Sequence, residues 1–345
     1  LGLRPSPFVG RDEETQQLLE IVDEVCYSED VNRRFVLLSG TAGVGKSRLA
    51  EWLCQEVHER GLMLPLRARY RKIAAPLDGV VGAMVQHYRV EKARRPTIEK
   101  VLLNCWQVEE DDDEGKTMVA GVAAWLCRRK DDDNDALGPT GKRFVIDRPE
   151  HRWLVIRHAI KKTAERRPLL IWLDDLHRAS AQTFKRLARL ERDLQDSPVL
   201  LLATMRNEDV TNDPTARARI ELLLEDFGGV RMELEPFTLN ETQDLLRETL
   251  PLSTEVVTAT AKRAKGNPLF ALQLIHSWAL RGELSLNDGV YNVAPQALER
   301  EANTTADLWE DRLNALSAEL RPAALAAAAL GGDIRREVLS SLLSK

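Results

Sequence analysis

Two hydrophobic periods alternate along the first two thirds of the chain. The run Phe35 to Ser39 in "NRRFVLLSG" is short, continuous and apolar, whereas "KSRLAEWLCQEVHERG" carries Leu49, Leu53 and Val57 at spacings of four and stops at Gly61. The first pattern predicts a buried strand and the second an amphipathic helix. "LMLPLRARY" reads as a second strand. "RRPLLIWLDDLH", Arg166 to His177, is a third, apolar enough to require burial on both faces and ending in two acids. "SAQTFKRLARLERDL" follows as a helix with Phe184, Leu187, Leu190 and Leu194 on one side. Val199 to Thr204 in "SPVLLLATMRNE" is a fourth strand leading to Arg206, and "VRMELEP" supplies a fifth. Strands alternating with helices at this interval predict an α/β domain with a parallel sheet.

Beyond Pro236 the pattern predicts helices only. "LNETQDLLRETL" opens with Asn240 and Gln243 spaced as a capping box, "STEVVTATAKRA" runs into Gly266 and Pro268, and "LFALQLIHSWALRGEL" continues as the next helix. From about Ala302 two more helices and a short Leu-rich one are expected. No internal repeat is seen.

The segment from about Arg71 to Pro149 differs. Its acidic runs, "EEDDDEGK" from Glu109 and "RKDDDNDALGPTGK" from Arg129, flank a short apolar stretch from Val119 to Leu126. Solvated loops between inserted helices are the expected meaning, with metal or partner binding as the alternative.

Composition narrows the class. With 345 residues and 43% hydrophobic content the chain can form two or three ordinary cores. No apolar run is long enough for a membrane span, so a cytoplasmic location is expected. Cys26, Cys54, Cys105 and Cys127 lack disulfide or zinc spacing and are expected to be reduced. A formal charge of -5 argues against general nucleic-acid affinity. The start at Leu1, without methionine, reads as a piece of something longer.

Gly40-Thr41-Ala42-Gly43-Val44-Gly45-Lys46-Ser47 fits G-x-x-x-x-G-K-[ST] between a strand and a helix. In such a loop, amides from Gly43, Val44 and Gly45 and from the helix start at Lys46, Ser47 and Arg48 surround phosphate oxygens. Lys46 neutralises the β and γ charges, and the Ser47 hydroxyl ligates magnesium. A mere glycine turn explains neither Lys46 nor Ser47. Asp174 would hold the ion through its water and Asp175 would polarise the attacking water, the alternative being two acids exposed at a turn. Arg206, closing the parallel fourth strand, is either a group reaching the γ-phosphate or a surface arginine.

Pro268 either breaks a helix or packs on a bound base, and Phe8, Val9 and Arg11 either frame the adenine or form a hydrophobic staple. His177 is expected to be structural. Arg67, Arg69, Arg71 and Lys72 alternate as one solvated face would. Arg217 and Arg219, in the loop after the fourth strand, could act across a subunit boundary.

Taken in order, "FVGRDEE", "GTAGVGKS", "LLIWLDDLHRAS", "LLLATMRNE" and "GNPLFALQLI" resemble the STAND branch of AAA+-like ATPases. The group is the one found in large LuxR-type transcription activators, some bacterial adenylate cyclases and multidomain Ser/Thr kinases. The resemblance implies a five-stranded core in the order 5-1-4-3-2 over residues 1–238, with the acidic insert at about 71–150. An all-α lid over 239–300 and the beginning of a winged-helix domain over 301–345 would follow. It implies a switch that rests with ADP, exchanges it for ATP with Mg2+ when a sensor detects its signal, self-associates, activates an effector outside this fragment and hydrolyses ATP slowly. By motif, Lys46, Ser47, Asp174, Asp175, Arg206 and Pro268 take the roles above, and Val9 and Arg11 match residues that contact the base. The chain departs from the family at the long stretch between Ser47 and Asp174, and at Arg178-Ala179-Ser180, where Trp-Ala-Asp is usual. The competing readings are a P-loop kinase acting on a small molecule, an ATPase of the DNA-loader or origin-binding type, and a module that keeps ADP as structural glue.

Overall fold

A computed structural model describes residues 7–28, 33–71, 75, 77–127, 138–194, 196–211, 213–299, 307, 309–310, 313–314, 316–330 and 339–341. The chain divides into two compact units. One comprises Arg11–Ala42 and Lys46–Leu234, and the other Leu1–Gly10, Gly43–Gly45 and Glu235–Lys345.

The first unit is built on β1 (Arg33–Ser39), β2 (Leu64–Arg69), β3 (Leu169–Asp174), β4 (Val199–Thr204) and β5 (Val230–Glu233). All pairings are parallel and the order is β2-β3-β4-β1-β5, the expected 5-1-4-3-2 read from the other edge. Every residue of β4 and all but the last of β3 are buried, as their unbroken apolar character requires. Phe35, Leu37, Leu169, Ile171, Leu201 and Ala203 point into the main core cluster. The opposite face carries α1 (Asp12–Tyr27) and α2 (Lys46–Glu59), which lie against the strands. Each fully buried Leu, Val or Phe contributes about 1.5 to 3 kcal/mol. Exposed ion pairs such as Arg48–Glu51 contribute about 0 to 1 kcal/mol each, so the apolar layers hold this sheet.

The acidic insert is less solvated than its composition suggests. It forms α3 (Val80–His87), α4 (Arg95–Trp106) and α5 (Asp113–Leu126), followed by α6 (Pro149–Ala164). Met84, Ile98, Leu102, Val119, Val122 and Leu126 are fully buried and join the core cluster of the sheet. α3 packs along β2 and so covers an edge strand that would otherwise offer free backbone groups. The first acidic run serves α5: Asp112 caps it by accepting from the Gly115 amide, and Asp113 and Glu114 occupy its positive first turn. Residues 128–137, most of the second run, lie outside the described residues.

After β3 come α7 (Ala181–Asp193), α8 (Asn207–Thr211) and α9 (Pro214–Asp226). Arg217 and Arg219 therefore stand on a helix and not in a loop, because Asp213 caps it and Pro214 starts it.

The second unit holds α10 (Leu239–Thr249), α11 (Thr254–Ala264) and α12 (Pro268–Leu280), packed around Leu246, Val257, Phe270, Leu274 and Trp278. Two expectations change here. The capping box is Thr238 with Glu241, since the helix starts one residue after Thr238, ahead of Asn240. The helices-only pattern is interrupted by an antiparallel hairpin, β6 (Leu284–Asn287) and β7 (Val290–Val293). Asp288 and Gly289 both have positive φ, 52° and 79°, as the two-residue turn that suits strand twist demands. Then follow α13 (Pro295–Glu299) and α14 (Leu320–Leu330). The expected winged-helix start over 301–345 falls partly outside the described residues. Among the described residues no helix is long and apolar enough to cross a membrane.

Candidate functional site

In a parallel sheet the carboxyl ends of the strands face one way, and ligands of such folds bind there. Here β1, β4 and β3 are neighbours, so their ends bring the glycine loop, Thr204 and Asp174 to one edge. Gly40, Gly43 and Gly45 have φ of 141°, 82° and 108°, conformations that side chains resist. The loop leads directly into α2, whose first amides have no partners within the helix.

Lys46 is buried, at 7% exposure. Its Nζ donates to the carbonyls of Gly40 at 2.9 Å and Thr41 at 2.7 Å. Burial lowers its pKa from 10.5 to about 8, against the pull of Glu208, Asp175 and Asp209. A cation held so, at the start of a helix, suits a polyanion.

α8 latches the loop. The Gly40 amide donates to Asn207 Oδ1 at 3.0 Å, the Asn207 amide returns a bond to the Gly40 carbonyl at 3.2 Å, and the Ala42 amide donates to Glu208 Oε1 at 3.0 Å. Asn207 Nδ2 in turn donates to Glu233 Oε1 at 2.7 Å. The sequence reading passed over Asn207 and Glu208, whose sole signal was their place after a buried strand.

Thr204 ties the two acids together. Its hydroxyl donates to Asp174 Oδ1 and accepts from the Asp175 amide, each at 3.0 Å. Asp174 Oδ2 also accepts from Arg67 Nη2 at 2.7 Å, and the Arg67 guanidinium lies 3.8 Å from the centroid of the Trp172 ring. Arg67 is thus not part of a solvated arginine face: on the edge strand it stands in register with Trp172 and turns onto that ring and the acid. Asp175 has φ 56°, a left-handed conformation that costs roughly 1 to 2 kcal/mol. Its carboxylate lies 3.2 Å from Arg178 Nη1 and 4.0 Å from Arg206 Nε. His177 Nε2 is 2.9 Å from Asp209 Oδ2, and burial lowers the His177 pKa.

The other candidates belong to both units. Ser47 is exposed at the start of α2, Val44 is buried, and Arg48 pairs with Glu51 at 3.3 Å. Arg11 is buried, caps α1 in a left-handed conformation and pairs with Glu14 at 2.8 Å. In the second unit Val9 is half-buried, and Pro268 is the buried first residue of α12, behind Asn267 as its cap. Within that unit the Leu269 amide donates to the Gly43 carbonyl at 3.3 Å, and a Cβ at Gly43 would fall 2.6 Å from Asn267 Oδ1. Only glycine fits there. Arg217 lines a separate cavity of about 190 Å3 with Ser39, Glu221 and Glu233, and Arg219 lies 6.0 Å from the Phe184 ring.

Among the described residues no three His, Cys, Asp or Glu side chains are arranged to hold a metal. The Ser47 hydroxyl and the Asp174 carboxylate are oxygen donors of the kind magnesium takes beside waters and phosphates.

Comparison with known proteins agrees with this architecture. No curated protein matches the chain. Among solved structures, Cdc6p from Pyrobaculum aerophilum has a TM-score of 0.53 at 13% identity, covering 94% of this chain and 75% of its own. The Aeropyrum pernix Orc1 protein in complex with DNA has 0.46 at 14% identity, covering 99% and 83%. A Thermotoga maritima RuvB mutant has 0.42 at 14% identity, covering 100% and 86%. At 13% identity the likeness to Cdc6p speaks for the P-loop NTPase fold and for nothing beyond it. The AAA ATPase domain matches residues 7–202, a span that contains the glycine loop, Lys46, Asp174 and Asp175. With more than half of its residues matched, the chain belongs to the AAA ATPase domain family.

Proposed function

We propose that the chain is a nucleotide-dependent switch that binds ATP and ADP with Mg2+, hydrolyses ATP slowly, and self-associates on exchange to activate an effector outside this fragment. The observation that carries the reading is the ammonium of Lys46, buried among loop carbonyls with its pKa pushed down to about 8. Its ammonium donates to the neutral carbonyls of Gly40 and Thr41, which supports an incoming polyphosphate as its counter-charge.

In this reading Gly43, Val44, Gly45, Lys46, Ser47 and Arg48 receive the phosphates, and Val9, Arg11 and Pro268 the base. Ser47 and Asp174 hold the magnesium, which would neutralise charge building on the phosphoryl oxygens. Asp175 orients the attacking water. Arg206 senses the γ-phosphate. Slow turnover is supported by the restraint on Asp175, whose carboxylate lies between Arg178 and Arg206. The reading assigns 1–238 to the ATPase core, 239–300 to a lid and 301–345 to the start of a winged helix, in a cytoplasmic protein without affinity for nucleic acid.

Lys46→Ala should abolish ATP and ADP binding, while Asp175→Ala should preserve binding and stop phosphate release. Equal affinity of wild type and K46A in an ATP titration would overturn the reading. Light scattering with ATP and with ADP tests self-association, and a gel shift at moderate salt tests the absence of DNA binding.

A further inference from the structure

A cavity of about 410 Å3 lies in the first unit, among the end of β2, the start of α3, α5, α6, the turn after β3, and α7. Its size is within the roughly 300 to 1,000 Å3 of small-molecule sites. Four arginines line it, Arg71, Arg152, Arg178 and Arg186, against a single acid, Asp78. Asp78 lies 3.5 Å from Arg71 and Asp175 lies 3.2 Å from Arg178, so two of the four charges have a carboxylate beside them and those of Arg152 and Arg186 are left to be balanced. Like charges do not gather around a half-enclosed space without something to balance them. Burial, and then Arg152 itself, press the Arg186 guanidinium toward its neutral form.

The walls are aromatic. Trp125, Trp153 and Tyr70 line the cavity and are buried. Tyr70 is 9% exposed, and its hydroxyl, sealed from solvent, has no hydrogen-bond partner among the described residues. A buried hydroxyl without a partner is rare in native proteins and marks a place where one is expected. Guanidinium groups take carboxylates or phosphates in paired bonds, and indole rings take flat apolar bodies.

We infer that this cavity is a second ligand site, for a small organic acid with a flat apolar body, joined to the nucleotide site through Arg178. Arg178 lines the cavity while its Nη1 stands 3.2 Å from Asp175 Oδ2 and its Nη2 3.8 Å from Asp209 Oδ2. An acid bound in the cavity competes for that guanidinium and frees Asp175. This link rests on the proposed role of Asp175 in hydrolysis; the site itself does not. Arg178, Ala179 and Ser180, where the chain departs from its family pattern, all line the cavity.

Calorimetry on the full chain with 1-naphthoate, 1-naphthyl phosphate and the neutral 1-naphthamide tests the site. Both acids should bind saturably below about 1 mM and the amide at least about tenfold more weakly. Arg152→Gln, at an exposed position, and Arg186→Gln should each weaken the acids about tenfold. K46A should bind naphthoate as wild type does, so failure of the nucleotide reading leaves this site readable. Absence of binding by both acids, equal binding of the amide, or indifference to R152Q and R186Q together would overturn the site. Saturating naphthoate should raise ATP turnover of the wild type about threefold or more; binding with unchanged turnover would overturn the link through Arg178.

Discussion

On the proposed reading, burial tunes Lys46 for its ligand. With its pKa at about 8 in the folded chain and 10.5 as its ordinary value, it is charged in both states below pH 8, and its burial then costs stability. Between pH 8 and 10.5 the unfolded lysine still holds the proton that the folded one has released, so this contribution to stability rises with pH across that window. Phosphates reverse the balance by favouring the ammonium. Nucleotide binding at pH 8.5 should therefore take up most of a proton, about none at pH 7, and weaken as pH climbs above 8. Calorimetry in buffers of different ionisation heat measures the uptake. Thr204 is a second case. Its hydroxyl serves Asp174 and the Asp175 amide at once, so Thr204→Val leaves a half-buried amide unpaired at a cost of about 1 kcal/mol. Thermal unfolding should show that loss, with nucleotide binding retained and turnover reduced.

At the scale of elements, the acidic insert turns out to be part of the core. Glu99 on α4 is fully buried, paired with Arg95 at 3.1 Å, and accepts from the Thr140 hydroxyl at 2.9 Å. It fastens the later part of the insert back onto α4. Glu99→Ala should cost about 3 to 5 kcal/mol, because it leaves the Arg95 charge buried without its carboxylate. Denaturant unfolding gives the number, and an exposed control such as Glu110→Ala should stay within about 0.5 kcal/mol. The hairpin of β6 and β7 depends on its turn: Gly289→Val, at φ 79°, should cost about 1 to 2 kcal/mol. Its "NDG" signal stood in the sequence and was outweighed by the helical pattern around it.

For the whole molecule, nucleotide and folding are linked. Ligand at a hundredfold excess over its dissociation constant should stabilise the wild type by about 2.7 kcal/mol and K46A not at all, which a thermal shift with ATP or ADP reads directly. Much of this architecture was legible beforehand. The strand-helix alternation, the parallel sheet, the glycine loop and the paired acids are local patterns, set by residues a few positions apart whose period and spacing decide their conformation. Other features depended on closure of the sheet. Arg67 reaches Asp174 across 107 residues, and Glu208 reaches the Ala42 amide across 166. As letters, Arg67 suits a solvated face as well as it suits an acid, and nothing in a linear order says which strand will lie beside it. The chain's own sequence determined which residues can do phosphate chemistry. Only the folded neighbourhood, by bringing remote strands to one edge and burying their polar ends, decided which of them restrain one another.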